Sequence, residues 1–323
     1  MSMGTPPTQP EFSGTGNNRT IDIRGASKWY GDVIGVNQVS LGIGPGVTGL
    51  LGPNGAGKST LIKLITGQLK PGNGSVTVMG MSPWKNPGVF HHLGHCPDSD
   101  CFWEEMTGQG FVSMMGRLAG FDAAESERRA REQLERVSMT SHALRAIQGY
   151  SKGMRQRVKL AAALVHDPIA LVLDEPLNGL DPVGRRDMLE LFRHLGDEGK
   201  TVLVSSHILH EIESLTPTIV LIHHGRILAE GVIEDIRALI ENQPLTLQIS
   251  TPDPRAVGQS LARLDGVYSL TFPDNGVLIA RSANPEIVYE TLQADVIAKR
   301  YTVHGLCALD DNLDAVFQYL VKE

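Results

Sequence analysis

The chain has 323 residues, 41% of them hydrophobic and 20% charged, which is the balance of an ordinary globular protein with enough apolar mass for a core and suggests about two domains. Its 29 Lys and Arg against 36 Asp and Glu leave a formal net charge of −7, which argues against a dedicated nucleic-acid binder, since those carry a basic field. No apolar run reaches the roughly 18 residues that a membrane-spanning helix needs. Three irregularly spaced cysteines make no disulfide framework, so a reducing cytoplasm is the expected setting.

Residues 1–19 are rich in Gly, Pro, Ser and Thr and lack an apolar centre, which predicts a disordered tail rather than a secretory signal. From Thr20 onward short β-like runs alternate with helical patterns. The runs are IDIR (21–24), VTGLL (47–51), SVTVMG (75–80), IALVLD (169–174), TVLVSS (201–206) and TIVLIHH (218–224). Such alternation favours a partly parallel sheet covered by helices.

Between VTGLL and the helical LIKLITG lies Gly52-Pro53-Asn54-Gly55-Ala56-Gly57-Lys58-Ser59-Thr60, which fits G-x-x-x-x-G-K-[ST] in its strand–loop–helix setting. Glycines let successive backbone N–H groups point inward at phosphate, and the start of a helix adds partial positive charge. Lys58 is expected to reach the β- and γ-phosphates, and the Ser59 hydroxyl to bind Mg²⁺. A merely structural glycine turn is the alternative, and the strand before and the helix after weigh against it.

Further on, His91-His92-Leu93-Gly94-His95-Cys96-Pro97-Asp98-Ser99-Asp100-Cys101 crowds potential metal ligands into one stretch. Read as a strand, VFHHLGHC puts His91 and His95 on one side and His92 and Cys96 on the other. That is a poor start for tetrahedral zinc. From about Asp98 to His166 the strand signal vanishes and helices are expected, one of them from Thr107, as N-cap, to Leu118.

Leu171-Val172-Leu173-Asp174-Glu175-Pro176 is an apolar strand ending in two carboxylates. Adjacent strand residues face opposite ways, so the two acids are expected to differ in role. Asp174 suits Mg²⁺ coordination through water, and Glu175 suits orienting or deprotonating an attacking water. After about Asn242 the pattern becomes LTLQIS, a helix at 254–264, a hairpin around Pro273-Asp274-Asn275-Gly276, a helix from Pro285 to about Lys299, strand 301–309 and an amphipathic NLDAVFQYLV. The β-α-β-β-α-β order predicts a small ferredoxin-like appendage.

With these motifs in order, residues 20–241 resemble the ATP-binding subunits of ABC transporters. The resemblance rests also on Tyr30 in SKWYGDVIGV, on Tyr150-Ser151-Lys152-Gly153-Met154, on Leu177-Asn178-Gly179-Leu180-Asp181 and on His207 in VSSH. It implies a P-loop α/β ATPase domain with a helical subdomain at about 98–166, and ATP and Mg²⁺ as its cofactors. Tyr30 would stack on adenine, and His207 would contact the γ-phosphate. Ser151 and Gly153 would form the signature segment, here with Lys152 and Met154 in place of the family's Gly and Gln. Asp181 would close the D-loop. Asp98 stands after Pro97 where the family has a glutamine, and would give Mg²⁺ an oxygen, directly or through water. The histidines and cysteines around it become bystanders.

The resemblance further implies ATP sandwiched between the phosphate loop of one subunit and the signature segment of a second, a homodimer being the expected pair. It implies an integral-membrane permease on a separate chain, docked near Asp98–Met106 with Phe102 and Trp103 as candidate aromatics. The motor would sit on the cytoplasmic face of the cell membrane, in the export branch, with residues 242–323 as an accessory domain. The alternative from another class is a soluble ABC ATPase acting on nucleic acid or the ribosome. One ATP-binding module, no heptad tract and the negative charge weigh against it.

Overall fold

The computed structural model describes residues 19–238, 245–273 and 276–309. The expected tail and the NLDAVFQYLV helix fall outside these residues, as does the centre of the turn at Pro273–Gly276.

In chain order, β1 (Ile21–Tyr30) and β2 (Val33–Ile43) pair antiparallel, β3 (Gly46–Leu51) runs into the glycine loop, α1 (Lys58–Ile65) leaves it, and β4 (Asn73–Val78) returns to pair with β1. A 3-10 turn at Pro87–His91 leads into β5 (Leu93–Cys96). Helices α2 (Gly108–Leu118), α3 (Ala123–Arg136) and α4 (Lys152–Leu164) follow without a strand between them. Then come β6 (Ala170–Leu173), α5 (Pro182–Asp197), β7 (Thr201–Ser206), α6 (Leu209–Leu215), β8 (Thr218–His223), β9 (Arg226–Val232) and α7 (Ile233–Ala238).

The six-stranded sheet has the order β5-β6-β7-β3-β8-β9, parallel except for β9. β6 and β7 are buried at every position because both faces of the sheet are covered. Alternation along each strand divides the core in two. Leu171, Leu173, Val202 and Val204 pack with the helices α2 to α6, while Ala170, Val172, Leu203 and Leu50 pack with α1 and the sheet β2-β1-β4. The phosphate loop therefore leaves the centre of a sheet clamped from both sides.

Helix starts follow local chemistry. Thr107 caps α2 by accepting the Gly110 N–H at 3.0 Å, as its sequence position predicts. Ser151 caps α4 through the Met154 N–H at 3.2 Å, and Asp181 caps α5 through the Gly184 N–H at 3.2 Å with Pro182 in the first turn.

Beyond these, β10 (Leu245–Ser250), α8 (Pro254–Leu261), β11 (Val267–Thr271), β12 (Val277–Ser282), α9 (Pro285–Ile297) and β13 (Gly305–Ala308) form an antiparallel sheet ordered β11-β12-β10-β13. Leu247, Ile249, Leu278 and Ala280 pack under Val257, Leu261, Val288 and Leu292 as a core of their own. The strand expected at 301–309 is only four residues long, and the helix expected to reach 264 stops at Leu261.

Three expectations need correction. VFHHLGHC is not one strand: the 3-10 turn, started by Pro87 and capped by Asn86, takes its first half and only Leu93–Cys96 is extended. β2 and β9 are not among the strands expected from the sequence. The register of β2 against β1 shifts repeatedly, which breaks its alternation, and β9 is a half-exposed edge strand without an apolar run. The two acids at the end of β6 are not placed by strand alternation either, as described next.

Candidate functional site

The strand β3 ends at Leu51 and the chain then wraps through residues 52–57 before α1. Two glycines make this wrap possible. Gly55 has φ 81° and Gly57 φ 111°, in the left-handed region, and a Cβ on Gly57 would stand 2.6 Å from the Gly35 carbonyl oxygen. Lys58, the first residue of α1, is buried. Its Nζ donates to the Gly52 carbonyl at 2.6 Å and stands 3.4 Å from Glu175 Oε1. A buried ammonium needs such partners. The loop's own carbonyl and Glu175 thus hold the cation where an anionic oxygen would neutralise it.

A cavity of about 320 Å³ opens over this loop. It is bordered by Pro53, Asn54, Gly55, Gly57, Lys58, Ser59 and Thr60, by Asp98, Asp174 and Glu175, and by Tyr30 at the end of β1. Tyr30 is 45% exposed, so its ring is free to receive a flat ligand. Val33, Ile34 and Gly35, at the start of β2, border the same space and were invisible without that strand. Gly52 and Ala56 lie beneath the loop, both buried.

Asp174 and Glu175 border one cavity, contrary to the expectation that alternation would part them. β6 stops at Leu173, and Glu175 takes φ 48°, a left-handed turn that swings the second acid to the side of the first. The Glu175 carboxylate is held between Lys58 and His207, whose Nδ1 lies 2.9 Å from Oε2. The Glu175 N–H donates to Ser205 Oγ at 2.9 Å, Ser205 Oγ donates to Asp174 Oδ1 at 2.7 Å, and the Asp174 N–H donates to the Cys96 carbonyl at 2.8 Å. The sequence signal for Ser205 was a hydroxyl at a fully buried strand position, which must find a partner.

Asp98 follows β5. Its side chain borders the cavity and accepts from Asn178 Nδ2 at 3.5 Å, while Lys159 Nζ grips the carbonyls of Pro97 and Asp98 at 2.9 and 2.8 Å. Among the described residues, no three His, Cys, Asp or Glu side chains cluster closely enough to hold a metal ion unaided. The donor set of Ser59, Asp98 and Asp174 consists of hard oxygens that suit Mg²⁺, which keeps water and phosphate oxygens in its shell.

Ser151, Gly153 and Asp181 border no part of this cavity. Gly153 lies against the Gly179 carbonyl, and the aliphatic part of Lys152 covers Gly179, so the segments 151–153 and 177–181 pack against one another.

A second groove, of about 350 Å³, runs between β5 and the helices. Phe90, Leu93, Phe102, Phe111, Met115 and His166 border it, with His95 and Cys101. Phe102 packs edge-on to Phe111 at 4.8 Å, whereas Trp103 is 57% exposed. Burial lowers the His95 pKa against the pull of Asp174, and its Nε2 is buried with no hydrogen-bond partner among the described residues. Burial likewise drives the Cys96 thiol up to about 12, while Cys101 and Cys307 are exposed.

A parallel sheet with a phosphate loop at its centre, two acids on the next strand but one and a helical insertion define a P-loop ATPase. The family profile described as "ABC transporter" matches residues 36–178. The daunorubicin/doxorubicin resistance ATP-binding protein DrrA of Streptomyces peucetius is 33% identical over 305 residues, 93% of this chain and 91% of that protein. The linearmycin resistance ATP-binding protein LnrL of Bacillus subtilis (strain 168) is 31% identical, over 92% of this chain and 96% of its own length. A solved ATP-binding subunit of an ABC transporter superposes with a TM-score of 0.64 at 29% identity, covering 68% of this chain and 93% of that one. The chain belongs to the ATP-binding subunits of ABC transporters. It is an ATPase, the motor of a transporter, and it works with ATP and Mg²⁺.

Proposed function

We propose that the chain drives export through a permease on a separate chain, and that it does so as a homodimer on the cytoplasmic face of the cell membrane. The observation that carries the hydrolytic part of this reading is the Glu175 carboxylate held between Lys58 and His207 at the mouth of the phosphate loop. In this reading Lys58 leaves the Gly52 carbonyl for the β- and γ-phosphates, and Tyr30 stacks on adenine. Glu175 orients and deprotonates the attacking water, and His207 contacts the γ-phosphate. Mg²⁺, bound by Ser59, Asp98 and Asp174, neutralises charge that develops on the phosphate oxygens. Ser151 and Gly153, with Asp181, serve the nucleotide of the second copy, which accounts for their distance from the cavity of their own chain.

Export is supported by two drug-resistance relatives that match nearly the whole chain. Those relatives are named for resistance to daunorubicin and doxorubicin and to linearmycin, which supports drug efflux as the reading for this chain. We divide the chain at 241: residues 20–241 as the ATPase domain, and 242–323 as an accessory domain of ferredoxin-like topology with its separate core. Residues 1–19 remain a tail in this division. The groove beside β5 is assigned to the permease.

Glu175→Gln keeps the shape of the side chain and removes the base. With ATP and Mg²⁺ this variant is expected to elute as a dimer in size-exclusion chromatography while its turnover falls by about a hundredfold or more. A monomer under those conditions would count against the sandwich.

A further inference from the structure

Ser205 is the last residue but one of β7 and is completely buried. The parallel register sets Val204 beside Leu173, so Ser205 stands level with Asp174, one step past the end of β6. A backbone N–H can only donate, so the Glu175 amide fixes Ser205 Oγ as its acceptor at 2.9 Å. The single hydroxyl proton then goes to Asp174 Oδ1 at 2.7 Å. The only proton of the serine and one of its lone pairs are engaged by two consecutive acids, which sets the orientation of the hydroxyl. The neighbouring Ser206 serves a different end: its hydroxyl meets Glu211 and the Ile208 N–H at the start of α6.

We propose that Ser205 is a positioning residue for ATP hydrolysis, its hydroxyl locking the Asp174 carboxylate and the Glu175 backbone into one unit. The proposal rests on the roles given above to Asp174 and Glu175. Glu175 sits at φ 48°, a conformation that a side-chain-bearing residue adopts only when its surroundings impose it. The Ser205 bond imposes it from below, and the Lys58 and His207 contacts hold the carboxylate above. The same hydroxyl fixes the plane of the Asp174 carboxylate, whose N–H is already tied to Cys96 on β5. Three adjacent strand ends, β5, β6 and β7, are stitched together behind the acids. Without the hydroxyl, Asp174 turns freely and Glu175 relaxes toward ordinary backbone angles. The phosphate loop leaves β3, which meets β7 at Leu50 and Ser205 by strand pairing, and Lys58 keeps its bond to the Gly52 carbonyl.

The test uses the full chain with Ser205→Ala and, to preserve the filled volume with a far weaker donor, Ser205→Cys. Mn²⁺ serves as the metal probe, its affinity read by electron paramagnetic resonance on the chain loaded with a non-hydrolysable ATP analogue. For at least the better-folded variant, with cooperative melting retained, Mn²⁺ affinity is expected to fall about fivefold or more and kcat about tenfold or more, with KM for ATP within about threefold. A purely structural serine would change melting and leave the metal affinity and the kcat-to-KM split alone. Wild-type Mn²⁺ affinity and kcat in Ser205→Ala or Ser205→Cys overturn the proposal. Glu175→Gln in the same assay separates the two readings. If it abolishes turnover while the serine variants are normal, Ser205 alone is misassigned; if it retains turnover, the assignment of Glu175 falls and the proposal with it.

Discussion

Lys58 and Glu175 are both largely buried and pair at 3.4 Å beside the phosphate loop. Burying one such charge alone costs several kcal/mol, which is why they appear as a pair. The residues that carry the loop were legible because the chemistry demands fixed types at fixed spacing: glycines at 55 and 57, then Lys-Ser. What was not legible was the conformation of Glu175. No local rule puts a glutamate in the left-handed region; the contacts of Ser205, Lys58 and His207, drawn from three other elements, place it there. His166 shows the same dependence on the fold. Its Nε2 lies 3.3 Å from the Leu93 carbonyl, which requires the Nε2–H tautomer, and burial lowers its pKa from 6.5 to about 4. Below pH 6.5 the unfolded chain takes up a proton that the folded chain refuses, so stability falls with pH and keeps falling to about 4. Between pH 6.5 and about 5 that amounts to about 2 kcal/mol. His166→Gln, which keeps a donor and cannot titrate, is expected to flatten this part of the melting temperature against pH. A slope equal to that of the unaltered protein would remove His166 as its source.

Among the elements, the loop that follows β5 shows most plainly what sequence hides. Pro97–Glu104 carries no helix or strand pattern in the sequence, yet two cations of α4 pin it. Lys159 holds the carbonyls of Pro97 and Asp98 and pairs with Asp100 at 3.2 Å, and Arg155 grips Glu104 through both nitrogens at 2.5 and 2.6 Å. Because the backbone of residue 98 is clamped, its carboxylate faces the cavity from a fixed root. Asp98→Asn keeps the size and removes the charge. It is expected to raise the Mg²⁺ concentration for half-maximal ATPase several-fold, about what one weakened hard-oxygen ligand costs. Basal rate and Mg²⁺ dependence both unchanged would take Asp98 out of the metal site. α2 was predictable to the residue from its capping Thr107, because its start is written locally. β2 and β9 were not, because their partners and not their own pattern make them strands.

At the scale of the whole molecule, the edge strand β5 borders the groove proposed for the permease, and the chain that continues from it reaches the phosphate-loop cavity at Asp98. β5 contributes His95 to the groove and, through the Cys96 carbonyl, a hydrogen bond to Asp174. Order of motifs along the chain announced the ATPase, but not this short path between the cavity and the groove, since strand adjacency is a property of topology. The cysteines, which looked at first like metal ligands, make that path measurable. Cys96 is sealed, its thiol pushed to about 12, whereas Cys101 opens into the groove and Cys307 lies exposed on the accessory sheet. The chain therefore carries a built-in footprinting reagent. Under a limiting maleimide, Cys101 and Cys307 are expected to be alkylated and Cys96 spared, and assembly with the permease is expected to slow modification at Cys101 while Cys307 continues at its former rate. Equal rates at Cys101 with and without the permease would place the docking surface elsewhere.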